Sequence, residues 1–249
     1  MPRQLIIDDK LRLRGDSQTR LNIEGALGEI KRHYSDRFDG IALDTTNRWA
    51  TSLPGTADTI AISEVQGGEV LITTGTADDD SCMLSSAIIF SADKAAIFEV
   101  KLLITDVSGT AVFAGFTDAK TESNNSIAIH YASDALTTVA SNAAGFVIDA
   151  DHATSSIMCE GVKANTDATS VDTGVDWADG EAHILRCVLD VDGNATFYLD
   201  NGLVGAVTGF VADAVTDSTL LCFSVQAMTR ANDGANTVRV QRYDAWQDE

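Results

Sequence analysis

The spacing of turn residues is what most constrains how this chain can fold. Between His183 and Val207 it reads HILRCVLDVDGNATFYLDNGLVGAV: three short apolar runs, separated by Asp192-Gly193-Asn194 and Asp200-Asn201-Gly202. Asp-Gly and Asn-Gly supply the positive φ that tight hairpin turns require, so these runs read as consecutive antiparallel strands. Similar runs recur from Phe38 onward: Val70–Thr74, Ala96–Thr105, Ala111–Phe116, Ser126–Tyr131, Gly145–Asp149, Ser156–Val162, Leu220–Gln226 and Val238–Trp246. In Ala96–Thr105, Phe98, Val100 and Leu102 alternate with other residues, the period of a strand with one buried face. Many short strands, turn residues between them and no sustained helical period predict an all-β, two-sheet antiparallel sandwich. No internal repeat of 20–50 residues is detectable.

Composition then limits partners. At 45% hydrophobic the chain buries a real core and is not a disordered acidic tail. Its 249 residues suit one large all-β domain or two small domains. Thirty-seven acids against seventeen bases give a net charge of −20. That charge disfavours nucleic acid and anionic membranes, whose phosphates are held by Lys and Arg.

The charge is unevenly spread. Residues 1–48 hold nine of the bases and eight of the acids, a net +1, so the net negative charge lies wholly beyond them. Within that segment Leu11 and Leu13 alternate with Arg12 and Arg14. Gly15-Asp16 follows, then Leu21 and Ile23 alternate with Arg20 and Asn22. This is a hairpin pattern, followed over 24–34 by a short helix or, given Gly25 and Gly28, irregular structure. Residues 1–37 therefore read as an N-terminal arm and 38–249 as the sandwich. A lone hairpin is marginal in water. The arm is expected to dock on a protein partner or a second copy of the chain, with Leu11, Leu13, Leu21 and Ile23 as anchors and Arg12, Arg14 and Arg20 in ion pairs.

Cys82, Cys159, Cys187 and Cys222 form no CxxC pattern. Cys187 and Cys222 sit in apolar runs, so buried free thiols are expected over disulfides. The N-terminal MPRQLIIDDK lacks a signal-peptide core, and no window reaches the length of a membrane span, so a soluble chain made in a cytosol is expected.

The ordered set of features resembles the concanavalin A-like (laminin-G-like) jelly-roll family. Phe38-Asp39-Gly40 leads to Trp49. Phe98-Glu99-Val100-Lys101 precedes Ala114-Gly115-Phe116 and Asp118. Asp179-Gly180-Glu181-Ala182-His183 leads into Leu185-Arg186-Cys187-Val188. The Asp192–Gly202 hairpin is the strongest element, and Val240–Trp246 stands as a closing strand. With Gly145-Phe146-Val147-Ile148-Asp149, the chain more narrowly resembles sandwich-bearing structural proteins of tailed bacteriophages. That resemblance implies a non-enzymatic virion component: a capsid decoration protein held by its arm, its acidic body facing solvent.

Three site chemistries compete with that implication. Glycanases of this fold place paired carboxylates on one strand as Glu-x-Asp-x-x-Glu, and no such motif occurs, so no enzyme activity is expected. A carbohydrate-binding module is the alternative function, with Trp177 in the polar loop VDWADGEAH and Tyr131 as glycan platforms. The competing reading of Trp177 is a cover on the sandwich edge. Calcium is the one cofactor the sequence leaves room for, at Asp190, Asp192 and Asn194, against a solvated acidic turn. His33, His130, His152 and His183 are scattered and form no zinc pattern.

Overall fold

The computed structural model describes residues 31–248 apart from 56, 64, 66, 120–125, 201, 204–208 and 231–233. The proposed anchors Leu11, Arg12, Leu13, Arg14, Arg20, Leu21 and Ile23 lie outside the described residues.

The strands in chain order are β1 (Lys31–Asp36), β2 (Trp49–Ser52), β3 (Thr59–Ser63), β4 (Glu69–Thr73), β5 (Ser81–Ser86), β6 (Ile97–Ile104), β7 (Thr110–Thr117), β8 (Ile129–Ala132), β9 (Ala135–Thr138) and β10 (Ala143–Asp149). They continue with β11 (Ser156–Lys163), β12 (Thr166–Asp167), β13 (Val171–Asp176), β14 (Ala182–Leu189), β15 (Ala195–Leu199), β16 (Gly202–Leu203), β17 (Phe210–Val211), β18 (Cys222–Thr229) and β19 (Thr237–Asp248). Sheet A runs β16-β15-β14-β6-β19-β4-β3, with β1 also on β19 and β17 on β15. Sheet B runs β12-β11-β10-β7-β18-β5-β2, with β13 on β11. The pairings are antiparallel, as the hairpin chemistry predicts.

The core lies between the sheets. Sheet A contributes Phe98, Val100, Leu102, Leu185, Cys187, Phe197 and Tyr243; sheet B contributes Val112, Ala114, Phe116, Phe146, Cys159 and Phe223. Rings cross the seam: Phe98 meets Phe116 edge-on at 5.1 Å, Phe146 meets Phe197 at 5.0 Å, and Phe223 stacks on Tyr243 at 4.5 Å. Each fully buried Phe stabilises by roughly 1.5–3 kcal/mol relative to an exposed one. All four cysteines are buried and unbridged.

The Asp192-Gly193-Asn194 turn joins β14 to β15 in the expected register, Leu189 opposite Ala195. Gly193 is required there: its φ is +84°, and a Cβ would sit 2.2 Å from the Val215 carbonyl oxygen.

Two local expectations change. Lys31–Asp36, the described part of the segment read as arm and short helix, is a strand. It pairs with β19 from Lys31↔Asp248 to Asp36↔Tyr243. Tyr34 faces inward against Phe90 at 5.3 Å while His33 faces outward onto Trp246, an alternation that a helix does not provide. In the run Ser126–Tyr131 pairing begins only at Ile129, because the residues before it cross the outside of sheet B rather than join its edge.

Candidate functional site

The outward faces of the two sheets differ, and the candidate site follows from that difference. On sheet B, Phe113, Val147, Met158 and Met228 point away from the core but are buried beneath Ile127, Ile129, Tyr131 and Ala140. Gly115 pairs with Gly145 beneath the Phe113 ring, whose atoms lie 2.7 Å from where either Cβ would be. Side chains there would lift the ring off the sheet.

Polar groups fasten this cover. The Arg230 guanidinium donates to Asp149 Oδ1 at 3.0 Å and Oδ2 at 2.8 Å, to Asp79 at 2.6 Å and to the Tyr131 carbonyl. Asp149 Oδ2 also accepts the Tyr131 N–H at 2.7 Å. The Tyr131 hydroxyl donates to Glu160 Oε1 at 2.5 Å, and Ser170 donates to Oε2 at 2.7 Å. Ala128 N–H donates to Gln226 at 2.6 Å. Glu160 is fully buried, and that burial raises its carboxyl above the usual range against the opposing pull of the Tyr131 and Ser170 hydrogen bonds. Burial pushes the Tyr131 phenol up as well, and lowers the His130 imidazole with help from the Arg230 charge. Two carboxylates thus face outward here, but both are sealed. Asp149 is held by Arg230 and Glu160 by hydroxyls, so neither reaches a substrate.

The outward face of sheet A is open. Register and alternation set two rows of side chains across it. One runs His33, Trp246, Ile97, Val188, Thr196; the next runs Ser35, Asp244, Glu99, Arg186, Tyr198. Ile97, Glu99, Arg186, Val188, Tyr198 and Trp246 line a shallow cleft of about 270 Å3. Trp246 and Tyr198 stand three strands apart, ~14 Å at the usual strand spacing. Trp246 stacks one ring face on His33, with centroids 5.1 Å apart and planes within 5°.

The carboxylates of this face are already paired. Glu99 is bound by Arg242, while Asp244 is bound by Arg242 at 2.9 Å and by His33 Nε2 at 3.0 Å. The Arg186 guanidinium carbon sits over the Tyr198 ring, 4.3 Å from its centroid. A larger hollow of about 410 Å3 at one end of the sandwich is lined by His152, Asp149, Trp177 and Asp179. Its polar groups are engaged within the protein: Asp179 accepts the Val107 N–H at 2.8 Å, and His152 Nδ1 lies 3.0 Å from the Thr154 carbonyl.

Among the described residues, none of the sequence-predicted site residues comes to lie in an open site. Trp177 is 3% exposed; its indole N–H donates to the Glu181 carbonyl at 3.0 Å and its ring meets His183 edge-on at 4.6 Å. It covers the sandwich edge, because its loop folds back onto β14. Tyr131 is 4% exposed and belongs to the sealed cover. Neither is a glycan platform. The calcium expectation fails at Asp190, whose Oδ1 accepts the Asp192 N–H at 3.0 Å and the Asn194 N–H at 2.9 Å. The Asn194 side-chain amide donates to both Asp190 oxygens, at 3.1 and 2.9 Å, so the turn is held together by its own donors. Among the described residues no group of three His, Cys, Asp or Glu side chains could hold a metal ion. No helix among them is long and apolar enough to cross a membrane.

Trp246 and Arg186 were missed. Arg186 carries a signal, since it alternates with Leu185 and Cys187 and so must point outward. The position of Trp246 is obscured by a register shift in β19 between Val240 and Arg242. The phase of Val238 and Val240 would turn Trp246 inward; the shift inverts it. The charges on Arg242 and Asp244 are the remaining clue, as neither suits a core.

No family model matches the chain, and no curated protein does. Solved structures do. A protein of unknown function from Shewanella oneidensis MR-1 aligns at 13% identity over 95% of each chain, with a TM-score of 0.54. The Emp47p carbohydrate recognition domain aligns at 13% identity over 86% of this chain and 95% of that one, TM-score 0.57. A β-1,3-glucanase from Mycobacterium marinum aligns at 12% identity over 86% and 97%, TM-score 0.56. Glycosyl hydrolases and a lichenase recur among the others. Where these neighbours carry a stated activity they are mostly glucanases and other glycosyl hydrolases, with one carbohydrate recognition domain, rather than phage structural proteins, and the expectation of a virion capsid decoration protein is withdrawn on that finding. What the chain shares with them, at this identity, is the fold: a two-sheet antiparallel β-sandwich of the concanavalin A-like jelly-roll type.

Proposed function

We propose that this protein binds carbohydrate without hydrolysing it, and that the sugar lies on the outward face of sheet A against Trp246. The observation that carries this reading is the open cleft with an indole at one end and a phenol–guanidinium stack at the other. Saccharides present flat faces of C–H groups that pack on aromatic rings, and their hydroxyls bind polar groups at the rim. The recurrence of sugar-directed proteins among the structural neighbours supports the same ligand class. The sealed positions of Glu160 and Asp149 favour binding over hydrolysis, which needs an acid and a second carboxylate converging on one bond.

The test is a panel of neutral and charged oligosaccharides titrated into the full chain, read by tryptophan fluorescence and calorimetry. Trp246→Ala is expected to weaken binding by at least about tenfold, ~1.4 kcal/mol, while Trp246→Tyr keeps most of it. Incubation with β-1,3- and β-1,3-1,4-glucan is expected to release no reducing ends. Failure of every saccharide to bind, or release of reducing ends that Glu160→Gln abolishes, would overturn the reading.

A further inference from the structure

We propose that the saccharide taken by this cleft is anionic, and that Arg186 holds its carboxylate or sulfate. This rests on the carbohydrate-binding reading and narrows it to a ligand class.

The argument begins with charge. The chain carries −20 overall, yet the outward face of sheet A gathers Lys101, Arg186 and Arg242 within three neighbouring strands. Arg242 neutralises Glu99 and shares Asp244 with His33. Glu99 is the residue directly opposite Arg186 in the register, and it is already taken. Arg186 is left with no hydrogen-bond or ion-pair partner among the described residues, and its Nε atom is buried without one.

A buried guanidinium Nε–H lacking an acceptor is costly, because it has lost water without gaining a replacement. The Tyr198 ring supports the guanidinium from one side and holds it at the cleft before any ligand arrives. A planar guanidinium fork matches a carboxylate or sulfate better than a single sugar hydroxyl. The acidic remainder of the protein acts at longer range and is screened beyond about 8 Å at physiological salt, so it does not prevent a contact made inside the cleft. Ile97 and Val188 form an apolar floor between Arg186 and Trp246. One ligand can therefore stack a sugar ring at the Trp246 end and present its anion at the other.

The experiment uses the full-length chain and matched ligand pairs: oligogalacturonate against its carboxyl-reduced form, and a sulfated galactan oligosaccharide against its desulfated form. In each pair the backbone is constant and only the anion changes. At least one acidic member is expected to bind about tenfold or more tighter than its neutral counterpart, with the preference shrinking as salt is raised. The pair that shows the difference identifies the anion as carboxylate or sulfate. Arg186→Gln is expected to erase the preference between the acidic and neutral members of a pair, and Arg186→Lys to keep part of it. Neutral and acidic members binding equally well, or a preference that survives Arg186→Gln, would overturn this proposal and leave the carbohydrate-binding reading intact. No binding by any member would overturn this proposal, and the carbohydrate-binding reading falls with it only if the whole saccharide panel also fails to bind. The wild-type comparison needs no variant, so the proposal stays testable should Arg186→Gln fail to fold.

Discussion

Sheets A and B each present one face to the core, but their second faces have opposite fates. On sheet A, β6 and β14 alternate buried and half-buried along their whole length. On sheet B, β7, β10 and β18 are buried at every position, because the segment 126–142 lies across them. One face is thus a surface where side chains meet solvent; the other is a second, smaller core with polar fasteners. The difference teaches that an open face in this sandwich is set by whether a connecting segment folds over the sheet. Charged residues on the covered face fasten the cover, while on the open face Glu99 and Asp244 pair with Arg242 and His33 at the surface.

That contrast can be broken most forcefully at Arg230. Arg230→Met leaves Asp149 buried without its counter-charge and should cost about 3–5 kcal/mol in urea unfolding, with Asp149→Leu recovering part of the loss in the double variant. A loss below ~1 kcal/mol would mean the fastening is not electrostatic.

Next in size is Gly115→Ala. Its Cβ would lie 2.4 Å from the Ala144 carbonyl oxygen, against backbone that cannot yield cheaply, and the expected loss is about 1–3 kcal/mol in the same assay.

Glu160 gives a pH signature. Its carboxyl is raised in the folded protein, so between the ordinary carboxylate range and that raised value the native state binds more protons than the unfolded one. The contribution is fully present at low pH and is lost as pH rises through this window. Wild type measured against Glu160→Gln should therefore show a stability difference that moves steadily against wild type from about pH 4 upward. A difference that does not change with pH would show that Glu160 titrates normally.

The smallest effect belongs to the open face. Thr196→Ala, at the end of the Trp246 row, should change stability by less than about 0.5 kcal/mol by thermal denaturation. A larger change would mean that this face is packed rather than free.

Much of the architecture was legible before any coordinates. The Asp192-Gly193-Asn194 hairpin, the alternating run Ala96–Thr105 and the buried thiols follow from turn chemistry and period two, which are local properties. The candidate site was not legible in the same way. Trp177 sits among polar residues and reads as exposed, but its loop returns to place the indole on His183 and the Glu181 carbonyl. Tyr131 looks like a free edge residue until Glu160, more than twenty residues later, receives its hydroxyl.

By itself, then, the sequence determined the strands, the turns and the sandwich, because backbone geometry and alternate burial are written within a few residues. Tertiary structure alone decided which face is open, which carboxylates are sealed and which indole meets solvent. Each of those depends on contacts between distant segments: 126–142 over sheet B, Arg230 reaching Asp149, and a single register shift in β19 that turns Trp246 outward.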